Sequence, residues 1–181
     1  MATIRPLILD RLASGIATDC KEAKLEIGVV IGPAYGAISL ASFIALHLIQ
    51  ETGRNDITAI WAEKGEEGNL TINSMLTNEI AGKNILVAED ILTTGKSAKK
   101  VIAQARLHGG TVIAVSSIWN RGGVTAIDLD VPILLSLVNE KIEKVPAHEC
   151  EQCKKGVPIN MTIGHGAEFV SKMGGQPPYR S

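Results

Sequence analysis

The sequence predicts an α/β fold with a mostly parallel twisted sheet and helices on both of its faces. Short apolar runs alternate with longer helical patterns along most of the chain. The runs are continuous, as in strands that are buried on both faces. At 181 residues the chain has room for one domain with a sizeable core. We expect that core over residues 1–145, with an irregular, proline-interrupted tail over 146–181 packing on it.

The elements follow in order. An amphipathic first helix is predicted from Ile4 to about Lys24, with this apolar face: Leu7, Ile8, Leu12, Ile16 and Cys20. Two further helices, Ala37 to about Glu51 and Ser97 to His108, are each followed by glycine. Five apolar runs predict strands: Ile27–Ile31, Ile57–Trp61, Ile85–Ala88, Val112–Ile118 and Ile133–Val138. Polar Glu63–Asn69 predicts a loop, and Leu70–Leu76 a short hairpin.

The stretch Asn84–Ser97, NILVAEDILTTGKS, is the most informative for chemistry. An apolar strand ends in Glu89 and Asp90, and a small hydroxyl-rich turn leads into a helix. Backbone N–H groups at such a turn attract phosphate, and glycine permits close approach. Carboxylates accept hydrogen bonds from ribose hydroxyls or hold hydrated Mg²⁺. The segment suits a ribose phosphate, although an acidic pair before a helix is also common as plain structure, and no Walker A loop is present.

A second candidate site is the junction between the first strand and the second helix, GPAYGA at Gly32–Ala37. It too lies at the carboxyl end of a strand, where parallel sheets bind ligands. Taken alone, a glycine-rich turn of this kind more often serves close packing of a helix on the sheet. Arg121 follows a third strand at the same edge, and a planar guanidinium grips a carboxylate with two hydrogen bonds. The alternative is an ordinary solvated arginine.

These segments resemble the type I phosphoribosyltransferases, and most closely the orotate phosphoribosyltransferases. Asn84–Ser97 is similar to their motif for 5-phosphoribosyl 1-pyrophosphate (PRPP). Gly32–Ala41 resembles their first strand–loop–helix, Ala62–Leu70 part of their mobile loop, and Asn120–Gly123 their D-R-x-G segment. Cys150–Ile159 is similar to the C-x2-C-x2-G-x-P ending of one bacterial and archaeal branch.

The resemblance implies a type I core and Mg²⁺-dependent transfer of phosphoribose from PRPP to orotate, a step of pyrimidine biosynthesis that yields orotidine 5′-phosphate and pyrophosphate. It implies catalytic roles for Glu89, Asp90 and Lys64, and contacts to the base from Thr93 and Arg121. The Mg²⁺ is carried by PRPP, and a homodimer is implied. The implied PRPP-binding residues are Ala34, Tyr35, Gly36, Ala37, Glu89, Asp90, Ile91, Leu92, Thr93, Thr94, Gly95, Lys96 and Ser97.

The sequence departs from the family in three places. Lys64 is the only cation of the loop, where relatives carry several. The first strand begins near Ile27, so most of the N-terminal hood that helps relatives bind the base is absent. Asn120 replaces the usual aspartate before the arginine. A non-catalytic PRPP- or nucleotide-binding regulatory domain, or a transferase for another nucleobase, is therefore the alternative.

Bulk properties limit the partners. A net charge of −1 and 3% aromatic residues argue against nucleic acid, and no apolar run has the length of a membrane span. Asp10 and Arg11 come too early for a secretory signal, and three cysteines fit a reducing cytoplasm. Cys150 and Cys153 have the spacing of half a zinc site, with reduced tail cysteines as the alternative.

Overall fold

The structure is a computed structural model that describes residues 5–33, 35–65, 69–143, 145–162 and 164–172. The chain forms two compact units, Met1–Ile142 and Glu143–Ser181. The first unit contains the helices α1 (Pro6–Glu22), α2 (Ile38–Thr52), α3 (Lys96–Leu107) and α4 (Ala126–Leu129). Its strands are β1 (Val29–Pro33), β2 (Thr58–Lys64), β3 (Leu70–Ile72), β4 (Asn84–Leu92), β5 (Thr111–Asn120) and β6 (Ile133–Val138).

The six strands form one sheet in the order β3-β2-β1-β4-β5-β6. All neighbouring pairs are parallel except β2 and β3, which are antiparallel. The predicted α/β fold with a mostly parallel sheet is confirmed. Strand order reverses between β1 and β4, so the loops that follow these two strands open toward each other at the carboxyl edge. This is the usual place for a ligand in such a sheet.

Both faces of the sheet are buried, which explains the continuous apolar runs. One face packs on α3 through residues such as Val29, Val87 and Ile102. The other packs on α1 and α2 through residues such as Val30 and Leu86. Neighbouring residues of one strand therefore serve different layers, as the alternation of a β-strand requires.

The predicted apolar face of α1 is partly wrong. Leu7 and Ile8 are 80% and 47% exposed. The buried face consists instead of Leu9, Ala13, Ile16, Ala17 and Cys20. The prediction followed the large side chains, whereas α1 packs on α2 through a face that includes two alanines. Small residues allow this close approach and carry little weight in a hydrophobic pattern.

Four strands extend beyond their predicted C-terminal ends: β1 to Pro33, β5 to Asn120, and β2 and β4 as follows. β4 continues through Glu89 and Asp90 because Ile91 and Leu92 still pair with β5. β2 continues to Lys64, which pairs with Leu70 of β3. The predicted loop at 63–69 is therefore shorter, and its residues 66–68 lie outside the described residues. The predicted hairpin at 70–76 is also different: β3 pairs back onto β2, and a 3₁₀ helix, Ser74–Glu79, follows.

The second unit contains only short elements among its described residues. They are a 3₁₀ turn, Ala147–Glu149, and the helices α5 (Glu151–Lys154) and α6 (Gly166–Lys172). None of the helices described in either unit combines the length and apolarity that a membrane crossing needs.

Candidate functional site

The loop after β1 meets the end of β4 at the Asp90 carboxylate. A Cβ added to Gly36 would lie 2.5 Å from Asp90 Oδ2, so the absence of a side chain there lets the β1 loop approach the acidic pair. Asp90 also accepts a hydrogen bond from the backbone N–H of Ile91, with Oδ1 at 2.7 Å. The structure thus brings together the two segments, Gly32–Ala37 and Asn84–Ser97, that the sequence singled out separately.

Glu89 and Asp90 serve different parts of this edge. Glu89 is only 7% exposed and lines a cavity of about 110 Å³. The other residues around that cavity are Ile91, Leu92, Thr93, Thr94, Gly95, Lys96 and Ser97. Asp90 is less buried and adjoins Gly36 of the β1 loop. Since successive residues of a strand point to opposite faces, one carboxyl group reaches each loop.

Burial dominates the protonation of Glu89. Desolvation, followed by the nearby charge of Asp90, raises the pKa of Glu89 to about 8. Glu89 is therefore mainly neutral at pH 7 and can donate a hydrogen bond as well as accept one. A buried acid with a raised pKa beside a second carboxyl group is typical of a functional site.

The turn Thr93–Ser97 is built for an anion. Gly95 has φ of 70°, a left-handed conformation that favours glycine, and it caps the N-terminus of α3. A Cβ at Gly95 would lie 2.7 Å from Leu129 Cδ2. No side chain caps this helix, so the N–H groups of its first turn are open to a ligand. The exposed side chains of Thr94 and Ser97 add hydroxyl groups.

Arg121 lies where the sequence predicted it, at the same edge. Its Nε donates to Oγ1 of Thr93 at 3.2 Å, and its backbone N–H donates to the carbonyl oxygen of Leu92 at 3.0 Å. The N–H of Gly122 donates to the same carbonyl at 3.1 Å. A Cβ on Gly122 would collide with the Thr93 carbonyl group, so the arginine turn is seated directly on the end of β4.

Sequence reasoning missed the role of Asn120. This side chain is 2% exposed and bonds twice to Val124 across the arginine turn. The sequence showed only that asparagine stands where the resembling family has aspartate. An asparagine directly before Arg-Gly-Gly is itself a turn signal, and it could have suggested this contact.

Lys64 meets the β1 loop of its own chain. Its Nζ lies 5.6 Å from the centroid of the Tyr35 ring, a cation–π arrangement. The neighbouring Glu63 accepts a hydrogen bond from Trp61 Nε1 at 3.1 Å. Lys64, predicted in a loop, lies at the end of β2 and faces the loop that the resemblance assigns to PRPP binding.

Several of the predicted PRPP-binding residues have apolar side chains, which offer no hydrogen bond to a ligand. Leu92 is 1% exposed and packs in the core, and its carbonyl group is used by the arginine turn. Ala37 is fully buried. Ile91 is 43% exposed and reaches the surface. Ala34 lies outside the described residues, and only Tyr35, Gly36 and Ala37 of that loop can be placed.

The described residues contain no group of three or more His, Cys, Asp or Glu side chains that could hold a metal. Neither Cys150 nor Cys153 forms a disulfide bond, and hydrogen bonds from Cys153 lower the pKa of Cys150. The histidines nearest to them in the sequence, His148 and His165, contact Glu149 and Glu168. The structure thus offers no second half for a zinc site among these residues. Of the acidic pair, the less buried Asp90 carboxylate fits a Mg²⁺ that takes its other ligands from a bound phosphate.

Comparison with protein families agrees with this geometry. Residues 5–147 match the model of the phosphoribosyl transferase domain. The chain belongs to the phosphoribosyltransferase family. It is 33% identical over 154 residues to orotate phosphoribosyltransferase of Caldicellulosiruptor bescii, covering 85% of this chain and 74% of that protein. A protein of the same name from Thermus thermophilus is 31% identical over 155 residues, covering 85% and 78%.

Solved structures share the fold of this phosphoribosyltransferase. Mycobacterium tuberculosis orotate phosphoribosyltransferase in complex with PRPP has a TM-score of 0.60 at 21% identity, covering 76% of each chain. Adenine phosphoribosyltransferase of Saccharomyces cerevisiae has a TM-score of 0.57 at 18% identity, covering 73% of this chain and 80% of that one. The fold is thus shared by transferases named for different bases, and the choice of base must be argued from the site.

Proposed function

We propose that this phosphoribosyltransferase joins PRPP and orotate to give orotidine 5′-phosphate and pyrophosphate, a step of pyrimidine nucleotide biosynthesis. The observation that carries the proposal is the position of Arg121, whose guanidinium lies against Thr93 at the rim of the Glu89 cavity. Orotate has a carboxylate that a guanidinium can grip, and adenine, hypoxanthine and uracil have none. The names of the relatives at 31–33% identity support the same base.

Each part of PRPP has a matching part of the edge. The 5′-phosphate fits the Thr93–Ser97 turn at the open N-terminus of α3. The ribose hydroxyls fit between Glu89 and Asp90. The diphosphate then extends toward the β1 loop, residues 34–37, where Lys64 is held over Tyr35. This assignment places the C1 carbon between the two segments that meet at Asp90.

The reaction depends on orientation of the substrates and on stabilisation of developing charge more than on proton transfer. The bond between C1 and the pyrophosphate oxygen breaks, the leaving group takes the electron pair, and the base nitrogen forms the new bond to C1. Asp90 steadies the positive character that develops on the ribose, and Lys64 offsets negative charge on the leaving pyrophosphate. Neutral Glu89 donates a hydrogen bond to a ribose hydroxyl, which fixes the sugar.

Mg²⁺ dependence is part of the proposal. The ion would be brought by the diphosphate of PRPP and would neutralise part of its charge, with the Asp90 carboxylate in reach. We also propose that the protein is a homodimer, as the family resemblance implies, and that it is cytoplasmic. The absence of a disulfide bond among the three cysteines, all of which lie in the described residues, supports a reducing compartment.

The direct test is release of pyrophosphate from PRPP with each nucleobase in turn, in the presence of Mg²⁺. We expect turnover with orotate and little with uracil, which differs from orotate by the carboxylate. Thermal melting with PRPP alone provides the binding control, since a ligand of the native state raises the melting temperature. Binding of PRPP without turnover of any base would refute the proposal and would favour the regulatory alternative.

A further inference from the structure

The second unit places two cysteines on one short helical turn. Cys150 directly precedes α5, and Cys153 lies within α5, three residues further along the chain. Residues three apart on a helix are neighbours, with about 5–6 Å between their Cβ atoms. A disulfide bond needs Cβ atoms about 3.5–4.5 Å apart, so a small movement is enough to join the two sulfurs.

Both of these thiols are accessible, unlike the third cysteine of the chain. Cys150 and Cys153 are partly exposed, whereas Cys20 is fully buried in the core. Hydrogen bonds from the backbone and the side chain of Cys153 lower the pKa of Cys150, which increases the share of thiolate at neutral pH. Burial acts in the opposite direction on Cys20 and raises its pKa to about 12. The chain therefore carries one accessible pair and one inert thiol.

The charged side chains around Cys150 leave it as the more reactive partner. Glu151 opposes ionisation of the thiol, because a nearby carboxylate disfavours a thiolate. That carboxylate has a cation of its own, since Lys154 Nζ donates to Glu151 Oε1 at 2.8 Å. On the preceding side, His148 Nε2 and Glu149 Oε1 lie 3.0 Å apart. The hydrogen bonds from Cys153 outweigh the effect of Glu151, and the pKa of Cys150 is lowered.

We propose that Cys150 and Cys153 form a thiol–disulfide exchange site whose substrates are small, accessible disulfides. Cys150 is the attacking thiolate, and Cys153 is the thiol that resolves the mixed disulfide. The inference does not depend on the proposed transferase function, because it uses only residues of the second unit. A molecule such as oxidised glutathione has the required chemistry and serves as the probe.

The exchange takes place in two steps. The Cys150 thiolate attacks one sulfur of the probe, forms a mixed disulfide and releases one glutathione thiolate, which takes up the proton that Cys150 lost. Cys153 then gives its proton to solvent, attacks the Cys150 sulfur and releases the second glutathione. The two cysteines lose two electrons and two protons, and one glutathione disulfide becomes two thiols. Excess reduced thiol drives the same steps backwards.

A metal-binding role for the pair makes a different prediction. Two thiolates fill half of a tetrahedral zinc site, and the residues that the structure describes contain no group of three or more His, Cys, Asp or Glu side chains suited to a metal. A second copy of the chain would have to supply the other half. Zinc held in that way would protect both sulfurs from oxidation, whereas an exchange site leaves them open.

The test incubates the full chain with oxidised glutathione and counts the thiols that remain after denaturation. We expect two of the three thiols to disappear, with a peptide in which Cys150 is joined to Cys153. The mass of the chain should fall by about 2 Da, the two hydrogen atoms lost in forming one disulfide. Cys20 should stay reduced, and excess dithiothreitol should restore all three thiols.

Two serine variants assign the roles. Cys153→Ser should accumulate the mixed disulfide between Cys150 and glutathione, because no resolving thiol is present. Cys150→Ser lacks the attacking thiolate, so glutathione should join Cys153 at least about tenfold more slowly. Both side chains are partly exposed, and equal melting temperatures of the two variants and wild type exclude unfolding as the cause.

The proposal is overturned if both serine variants form the mixed disulfide at the same rate, or if Cys20 is oxidised as readily as the pair. It is also overturned if oxidation joins separate chains instead of closing the pair. Zinc in the purified protein by elemental analysis, with thiols that react only after a chelator is added, would replace exchange by metal binding. Turnover of orotate is a separate measurement and bears on the proposed function alone.

Discussion

The two sides of the proposed site differ in how firmly burial and hydrogen bonds hold their side chains. On the side of β4 and β5, the key groups are buried or tied to the backbone: Glu89 is 7% exposed, Asn120 is 2% exposed, and the arginine turn donates twice to Leu92. On the side of β1 and β2, Tyr35 is 76% exposed and Lys64 meets it through a cation–π contact. The first side is suited to holding a substrate, and the second to a contact that forms as the reaction proceeds.

The reduced positive charge of the predicted mobile loop falls on the β1–β2 side of the site. Lys64 is the only cation of that loop, whereas the β4–β5 edge carries the acidic pair, the Thr93–Ser97 turn and Arg121. A domain that loses catalytic speed by such changes still binds PRPP. Variants of the phosphate turn and of Arg121 should therefore change substrate affinity, whereas variants of Lys64 should change turnover.

The largest effect is expected for Gly95→Val, which should abolish the rise in melting temperature produced by PRPP. Valine at φ of 70° is strained, and its side chain would collide with Leu129 and reshape the phosphate turn. Gly53→Val is the matched control, because Gly53 has φ of 71° with no neighbour within 4 Å of a Cβ. It should cost stability but keep the PRPP shift. A full PRPP shift in Gly95→Val would remove this turn from the site.

Arg121→Ala should weaken orotate binding by roughly 1.5–3 kcal/mol, the worth of a hydrogen bond to a charged group. PRPP affinity should hardly change, because the β4 groups are untouched. Calorimetric titration of each ligand measures both affinities. Equal losses for orotate and PRPP, or none for orotate, would count against a carboxylate-bearing base.

Glu89→Gln should remove a pH dependence of stability. Glu89 is protonated in the folded state up to about pH 8, whereas the unfolded chain loses that proton near its ordinary pKa of 4.5. Folding therefore takes up a proton between these values, and the wild-type free energy of unfolding falls as pH rises, by up to about 1.4 kcal/mol per pH unit. Urea unfolding at several pH values should show this slope in wild type and in the exposed control Glu79→Gln. Its persistence in Glu89→Gln would contradict the assignment.

The smallest effect concerns Tyr35. Replacement by leucine removes the ring face under Lys64 and should lower kcat a few-fold, since an exposed cation–π contact is worth about 0.5–1 kcal/mol. Tyr35→Phe keeps the ring and should match wild type. Steady-state assays with saturating PRPP make the comparison. A loss in Tyr35→Phe equal to that in Tyr35→Leu would assign the effect to the hydroxyl group instead.

Elements that depend on local pattern could be predicted closely. The predicted strand Ile133–Val138 coincides with β6, because Pro132 and Asn139 bound an apolar run. Gly53 ends α2 in the left-handed conformation that its sequence position suggested. The shared edge of Arg121 and the acidic pair also followed from the parallel order alone, since each group follows a strand that ends there.

Features that depend on pairing between distant segments could not be predicted. The strand continues through Glu89 and Asp90 because β5 pairs with their neighbours, and no local pattern shows this. The meeting of Lys64 with Tyr35 depends on the register that places Pro33 beside Ala62. The two buried hydrogen bonds between Asn120 and Val124 depend on a turn conformation, whereas the sequence gives only the residue types that permit it.

The proposed separation between PRPP affinity and turnover is tested most directly by measuring both quantities in two lysine variants. PRPP affinity by calorimetry and kcat by pyrophosphate release are compared for Lys64→Ala and for Lys96→Ala, whose exposed side chain lies at the phosphate turn. We predict that Lys64→Ala lowers kcat about 10²-fold with little change in affinity, the scale for loss of one charge-stabilising group. Lys96→Ala should weaken PRPP binding and leave kcat nearly unchanged. Equal effects of both variants on affinity, with kcat unaltered, would contradict the account.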